Sequence, residues 1–133
     1  MSTILLSFAA KTFEKLERGD MKFEYRKHLP KGKTKVYFYV SAPVKAISGI
    51  AQFGKREELI SWLHKYSDRP QDVINRIKEY LTVDTYAVGI ERFQPTNRIS
   101  LEQLRRDVPG FIVPRMYYYL DGSELLKYLD SQL

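Results

Sequence analysis

Lys22, Glu24 and Arg26 are the residues of this chain best spaced to do chemistry together. They alternate with Met21, Phe23 and Tyr25, a two-residue period that places the charged set on one face of a strand and the apolar set on the other. Side chains two apart on a strand stand about 7 Å from each other, so the row presents one carboxylate between two cations. Such a row neutralises Glu24 and leaves positive charge for a phosphate, while the carboxylate can accept hydrogen bonds from a base edge or an exocyclic amine. The same spacing also describes a solvated strand face, with ion pairs worth under about 1 kcal/mol each.

The charge around this row is uneven. The 133 residues carry 22 Lys and Arg against 16 Asp and Glu, a net +6. Residues 1–45 hold ten basic and four acidic side chains, which accounts for all of the excess. From Lys22 to Lys35, six cations (Lys22, Arg26, Lys27, Lys31, Lys33, Lys35) face only Glu24, a net +5 that attracts phosphates or another polyanion.

Other chemistries lack their residues. The chain has no cysteine, which removes disulfides, thiol nucleophiles and thiolate metal sites, and points to the reducing cytoplasm. Its two histidines, His28 and His64, sit in the basic stretch and near the end of an amphipathic helical pattern, so no zinc site is expected. P-loop, dinucleotide-fold and hydrolase-elbow glycine motifs do not occur, and no cofactor is expected. Glu57-Glu58 is read as a helix start favoured by the macrodipole. The longest apolar runs are a few residues and no basic-then-apolar leader precedes them, so no membrane segment is expected.

The elements that must position the row follow from the same periodicities. Thr3 to Ser7 is an apolar run suited to a buried strand, and Ala9, Phe13 and Leu16 share a helical face closed by Gly19. After the turn Leu29-Pro30-Lys31-Gly32-Lys33, Val36 to Val40 is an aromatic and β-branched strand that Pro43 ends or bends. Val44 to Phe53 is another strand, whose internal Gly49 signals a bulge or a close backbone approach. The period then changes to about 3.6, predicting two helices within residues 55–81: Leu59, Trp62, Leu63 and Tyr66 mark one face, and Val73, Ile74, Ile77, Tyr80 and Leu81 the next. A strand over Tyr86 to Phe93 is ended by Pro95-Thr96-Asn97, and Ser100 with Gln103 forms a capping box for a short helix broken by Pro109-Gly110. Arg115 to Leu120 is a last strand, followed by a terminal helix carrying Leu125, Leu126 and Leu129. With 44% hydrophobic and 29% charged residues, this is an ordinary globular composition of single-domain length. Five to six strands, interrupted by helices that do not recur after each one, predict an α+β class with a small mixed β-barrel over residues 1–133 and a helical insertion at about 55–81.

Gly19-Asp20-Met21-Lys22-Phe23-Glu24-Tyr25-Arg26, followed by Lys27, resembles the G-x-K-x-x-E-x-R signature of the ASCH domain family, whose fold is similar to the PUA barrel. Val36 to Pro43 with Ile47-Ser48-Gly49 is similar to that family's strand, Ser-x-Pro turn and following strand, and Ile99 to Leu104 with Pro114 to Leu120 resembles its C-terminal portion. The resemblance covers nearly the whole chain. It implies a cleft lined by Lys22, Glu24, Arg26 and the turn at Ser41 and Pro43 that binds RNA or a modified nucleotide, in translation or gene regulation. Arg26 and Lys27 would contact phosphate, Glu24 would read a base edge, and Tyr37, Tyr39 and Tyr117 would offer stacking platforms or else pack in the barrel. Some small ASCH proteins are amidohydrolases on acylated cytidine, with a lysine at the signature position, a threonine at the signature's glutamate and a distant glutamate. This chain places Met21 and Glu24 at the first two, so an amidohydrolase or nuclease reading rests on Lys22, Glu24 and Glu91. A protein interaction module docking through the Trp62 helix pair is the third reading. The oligomeric state is not legible.

Overall fold

A computed structural model describes all 133 residues. The chain builds β1 (Ser2–Phe8), α1 (Ala10–Glu17), β2 (Phe23–Arg26), β3 (Thr34–Val40), β4 (Ala46–Phe53), β5 (Glu57–Glu58), α2 (Leu59–Lys65), α3 (Gln71–Leu81), β6 (Tyr86–Ser100), α4 (Leu101–Asp107), β7 (Tyr117–Tyr119) and α5 (Glu124–Gln132). The strands run in the order β2-β6-β4-β3-β1-β7, with β5 also paired to β6. The β1–β3 pair is parallel and the other pairs are antiparallel, so the sheet is mixed and the class is α+β. No ladder joins β2 to β7, and the sheet is a curled half-barrel rather than a closed barrel. No helix is long and apolar enough to cross a membrane.

Alternation sorts the side chains of β1 and β3 onto two cores. Ile4, Leu6, Phe8, Val36, Phe38 and Val40 face one side, where α1 adds Phe13 and Leu16. Leu5, Tyr37 and Tyr39 face the other, with Leu104 of α4 and Leu125 and Leu129 of α5. Both strands are therefore covered on both faces, which is why they read as continuous apolar runs. The first core fixes α1, whose end at Gly19 (φ 77°) is a left-handed cap: the Gly19 N–H donates to the Leu16 carbonyl and the Asp20 N–H to the Lys15 carbonyl. Gly49 is needed for contact. A Cβ there would lie 3.0 Å from Phe93 Cε1, 3.1 Å from Phe13 Cζ and 3.2 Å from the Gln94 carbonyl, so the predicted close approach is real.

A third, smaller core holds α2 and α3 against the sheet edge. Leu59, Trp62, Ile77 and Ala87 are buried together, and Phe23 and Tyr25 pack against them. The apolar face of β2 thus looks toward the helices, leaving Glu24 and Arg26 on its other face.

Three expectations change. Glu57-Glu58 does not open a helix; these residues pair with Ala87 and Tyr86 as β5, and the helix begins at Leu59. A two-residue ladder is too short to leave a periodic signal, and it raises the strand count to seven. The strand predicted to stop before Pro95 runs on to Ser100. It does so through bulges: between the pairs Gln52↔Glu91 and Ile47↔Ile99 the β4 register shifts twice, Arg92 takes φ 52°, and Pro95 faces Gly49 at a shift, where no regular ladder needs its missing N–H. The last strand contracts to Tyr117–Tyr119. The Ser100 capping box forms as predicted, its hydroxyl accepting from the Gln103 N–H at 3.0 Å.

Candidate functional site

The charged row splits on folding. Glu24 is buried at 7% exposure, Arg26 is half-buried, and Lys22 is exposed, just outside β2, its carbonyl accepting from the Ile90 N–H at 2.8 Å. Arg26 Nη2 donates to Glu24 Oε2 at 3.2 Å and to the Ser7 carbonyl at 2.8 Å. Its guanidinium carbon also stands 5.8 Å from the centre of the Phe8 ring. The other carboxylate oxygen, Oε1, accepts from the Tyr25 N–H at 3.0 Å. Arg26 therefore clasps β2 to the end of β1, across the gap that no backbone ladder closes.

Glu24 lines a cavity of about 400 Å³. Thr12 and Lys15 of α1 form one wall, Lys22 to Tyr25 another, and Tyr80 and Asp84 at the end of α3 a third. Burial pushes the Glu24 carboxyl above the ordinary range, outweighing the attraction of Arg26 and the Tyr25 N–H, and the nearby Asp84 pushes the same way. Burial also raises Asp84, against the pull of Arg26 and Lys27. The cavity thus holds two proton-favouring carboxyls, with Lys15, Lys22 and Asp20 also among its lining residues. Asp84 lies in the turn between α3 and β6, where no sequence pattern marked it; its N–H donates to the Tyr80 carbonyl at 2.7 Å.

The remaining predicted residues are dispersed. Lys27 is exposed and close enough to act on the Asp84 carboxyl. Ser41 and Pro43 are exposed on the β3–β4 turn; the Ser41 N–H donates to the Phe8 carbonyl at 3.0 Å, one residue along from the carbonyl that Arg26 holds, and neither residue lines the cavity. Glu91 is exposed on β6 opposite Gln52, outside the cavity, and the carboxyl beside Glu24 is Asp84 instead. Tyr117 is half-buried on β7, edge-on to Tyr119 at 5.9 Å. Tyr37 and Tyr39 are no stacking platforms: both are buried in the second core, where the Tyr37 hydroxyl donates to Asp130 Oδ1 at 2.9 Å. Their strand is covered on both faces, so alternation does not deliver every other ring to solvent. Arg56, unmarked in the sequence, stacks 3.8 Å above the Tyr86 ring and donates to the Leu29 carbonyl at 2.8 Å.

Because burial raises the Glu24 carboxyl, the folded chain binds its proton more tightly than the unfolded chain does. Stability contributed by this group is full below its unfolded value and is lost as pH climbs through the raised value. Glu24→Gln removes that slope. Thermal melts from about pH 4 to about pH 7 should show the wild type gaining on the variant as pH falls, and a constant difference would exclude the linkage.

Three solved structures superpose on this chain over nearly its full length. The crystal structure of ASCH from Zymomonas mobilis matches with TM-score 0.71 and 20% identity, covering 97% of this chain and 94% of the other. Its serine-to-alanine variant matches at 0.72 and 18%, covering 99% and 97%. Its tyrosine-to-phenylalanine variant matches at 0.71 and 19%, covering 98% of each. The chain has the ASCH fold. No family model matches the chain, and no curated protein matches it. Of the signature-like segment, Phe23 to Arg26 form β2.

Proposed function

We propose that this chain is an ASCH-family binding module that takes RNA or a modified nucleotide in the Glu24 cavity, with a role in translation or gene regulation. The observation that carries the reading is a buried carboxylate held at a cavity wall by Arg26 and a backbone N–H, with Lys15 and Lys22 lining the same cavity. Burying a carboxylate is costly, and it persists here because both oxygens already have donors. Oε2 takes the Arg26 Nη2 and Nε hydrogen bonds at 3.2 and 3.4 Å, while Oε1, held by the Tyr25 N–H alone, keeps a lone pair that can accept from an exocyclic amine or ring N–H of a base. Lys22 and Lys27 are exposed and form no ion pair with a carboxylate, which leaves both for phosphate.

A hydrolase reading has one supporting observation, the two raised carboxyls of Glu24 and Asp84 in the same cavity. The test therefore follows retention and mass together, with RNA oligomers and modified nucleosides, acylated cytidine included, at physiological salt. Retention without mass change is expected. Lys22→Ala with Lys27→Ala should lower the slope of log affinity against log salt by about 1.4, the value for two phosphate contacts on a single strand. An unchanged slope sinks the proposed phosphate contacts, and a mass loss transfers the site to hydrolysis.

A further inference from the structure

A second groove adjoins the first. It lies between α2 and α3, holds about 350 Å³, and has Trp62 and Ile77 among its lining residues, with Tyr66 and Tyr80 beside them and the exposed Arg69 and Arg76. Both cavities are within the size range of small-ligand sites, about 300–1,000 Å³. Phe23, Tyr25 and Tyr80 line both. The partition is a stacked pair, Tyr25 on Tyr80, with ring centres 4.0 Å apart and planes 14° from parallel.

The chemistry of this groove is flat rings plus cations. Arg69 stands 5.6 Å over the Tyr66 ring, and neither Arg69 nor Arg76 pairs with a carboxylate. No Asp or Glu lines the groove; the acids of α3, Asp72 and Glu79, lie outside it. An apolar protein segment would leave both guanidinium groups without partners, whereas a nucleotide supplies a base for the rings and a phosphate for the arginines. A free nucleoside fills one cavity only. A strand with consecutive nucleotides can place one base beside Glu24 and the next beyond the Tyr25–Tyr80 partition.

We infer that the α2–α3 groove is a second nucleotide subsite, so that the ligand is single-stranded RNA of at least two consecutive nucleotides crossing the Tyr25–Tyr80 pair, and not a free nucleoside. The inference rests on the proposed nucleotide reading of the Glu24 cavity and deepens it.

Trp62 is the sole tryptophan and lines this groove, so its fluorescence reports on the groove directly. The probes are a random-sequence RNA hexamer pool and a mixture of the four nucleoside monophosphates, titrated at physiological salt, with hexamer anisotropy alongside. The hexamer should change Trp62 emission and bind more tightly than the monophosphates, which should leave the emission unchanged. Arg69→Ala with Arg76→Ala should weaken the hexamer about tenfold or more and leave the monophosphates unaffected. Both arginines are exposed, so the variant is expected to keep the wild-type melting temperature, measured in parallel. If hexamer affinity is unchanged in that variant but falls with Lys22→Ala and Lys27→Ala, the subsite is wrong while the cleft reading stands. If the wild type binds neither probe, the cleft reading fails and takes the subsite with it.

Discussion

Trp62→Ala is expected to lower stability by about 3–5 kcal/mol, the range for removing a large aromatic side chain from a core. Trp62 is 5% exposed and meets Phe23, Tyr25 and Tyr66 edge-on, with ring centres 5.2, 5.9 and 5.4 Å away. It is the largest side chain of the small core that joins α2 and α3 to the sheet edge, so few neighbours remain to collapse into the cavity it would leave. Its indole N–H is buried without an acceptor among the hydrogen-bonding groups. Trp62→Phe keeps most of the ring contacts and removes that unsatisfied donor, so its loss should be less than half that of the alanine variant. Urea unfolding of both variants reads these differences, provided the m-value is unchanged. The alanine variant should also weaken RNA binding, because Phe23 and Tyr25 are the backing of the strand that carries Glu24. A loss below about 1 kcal/mol would mean that this core does not hold β2 in place.

Arg26→Ala is expected to cost about 2–4 kcal/mol and to abolish RNA binding in the Glu24 cavity. The side chain makes one charge-assisted pair and one carbonyl bond, and it spans from β2 to β1 where no ladder connects them. Removing one partner of a buried pair strands the other, and that penalty usually exceeds the value of the pair. Here the penalty is limited, because Glu24 can take up a proton instead of remaining an unpaired anion. The destabilisation should therefore be largest at neutral pH and shrink in acid. Arg26→Lys keeps the charge but not the fork that reaches Glu24 and Ser7 together, so it should recover only part of the loss. Equal destabilisation across the acid range would show that Glu24 is not the group left stranded.

Much of this arrangement is local and therefore legible in the chain. The alternation from Met21 to Arg26 identified a strand with one apolar and one charged face, and Gly49 marked a close approach that Phe13 and Phe93 make real. The Ser100 cap, the α1 pattern closed by Gly19 and the two helices before β6 follow from spacing and capping chemistry, which act within a few residues. The N-terminal excess of cations is likewise a property of composition.

Tertiary structure decided the rest. Periodicity tells which side of an element is apolar, not which distant element comes to cover the other side. Glu24 is buried rather than solvated because Arg26 reaches the Ser7 carbonyl, 19 residues away, and because α1 and the end of α3 wall the cavity. Asp84 joins Glu24 only through the turn that delivers α3 into β6, while Glu91, the carboxylate suggested by residue type, is carried away on a bulged strand. β6 passes Pro95 because its partner Gly49 sits at a register shift, a circumstance that depends on pairing two segments far apart in the chain. Residue types and spacing determined the charge, most of the elements and the candidate row; long-range packing determined β5, the length of β6, and which of those charges lose water, and so which of them can serve a ligand.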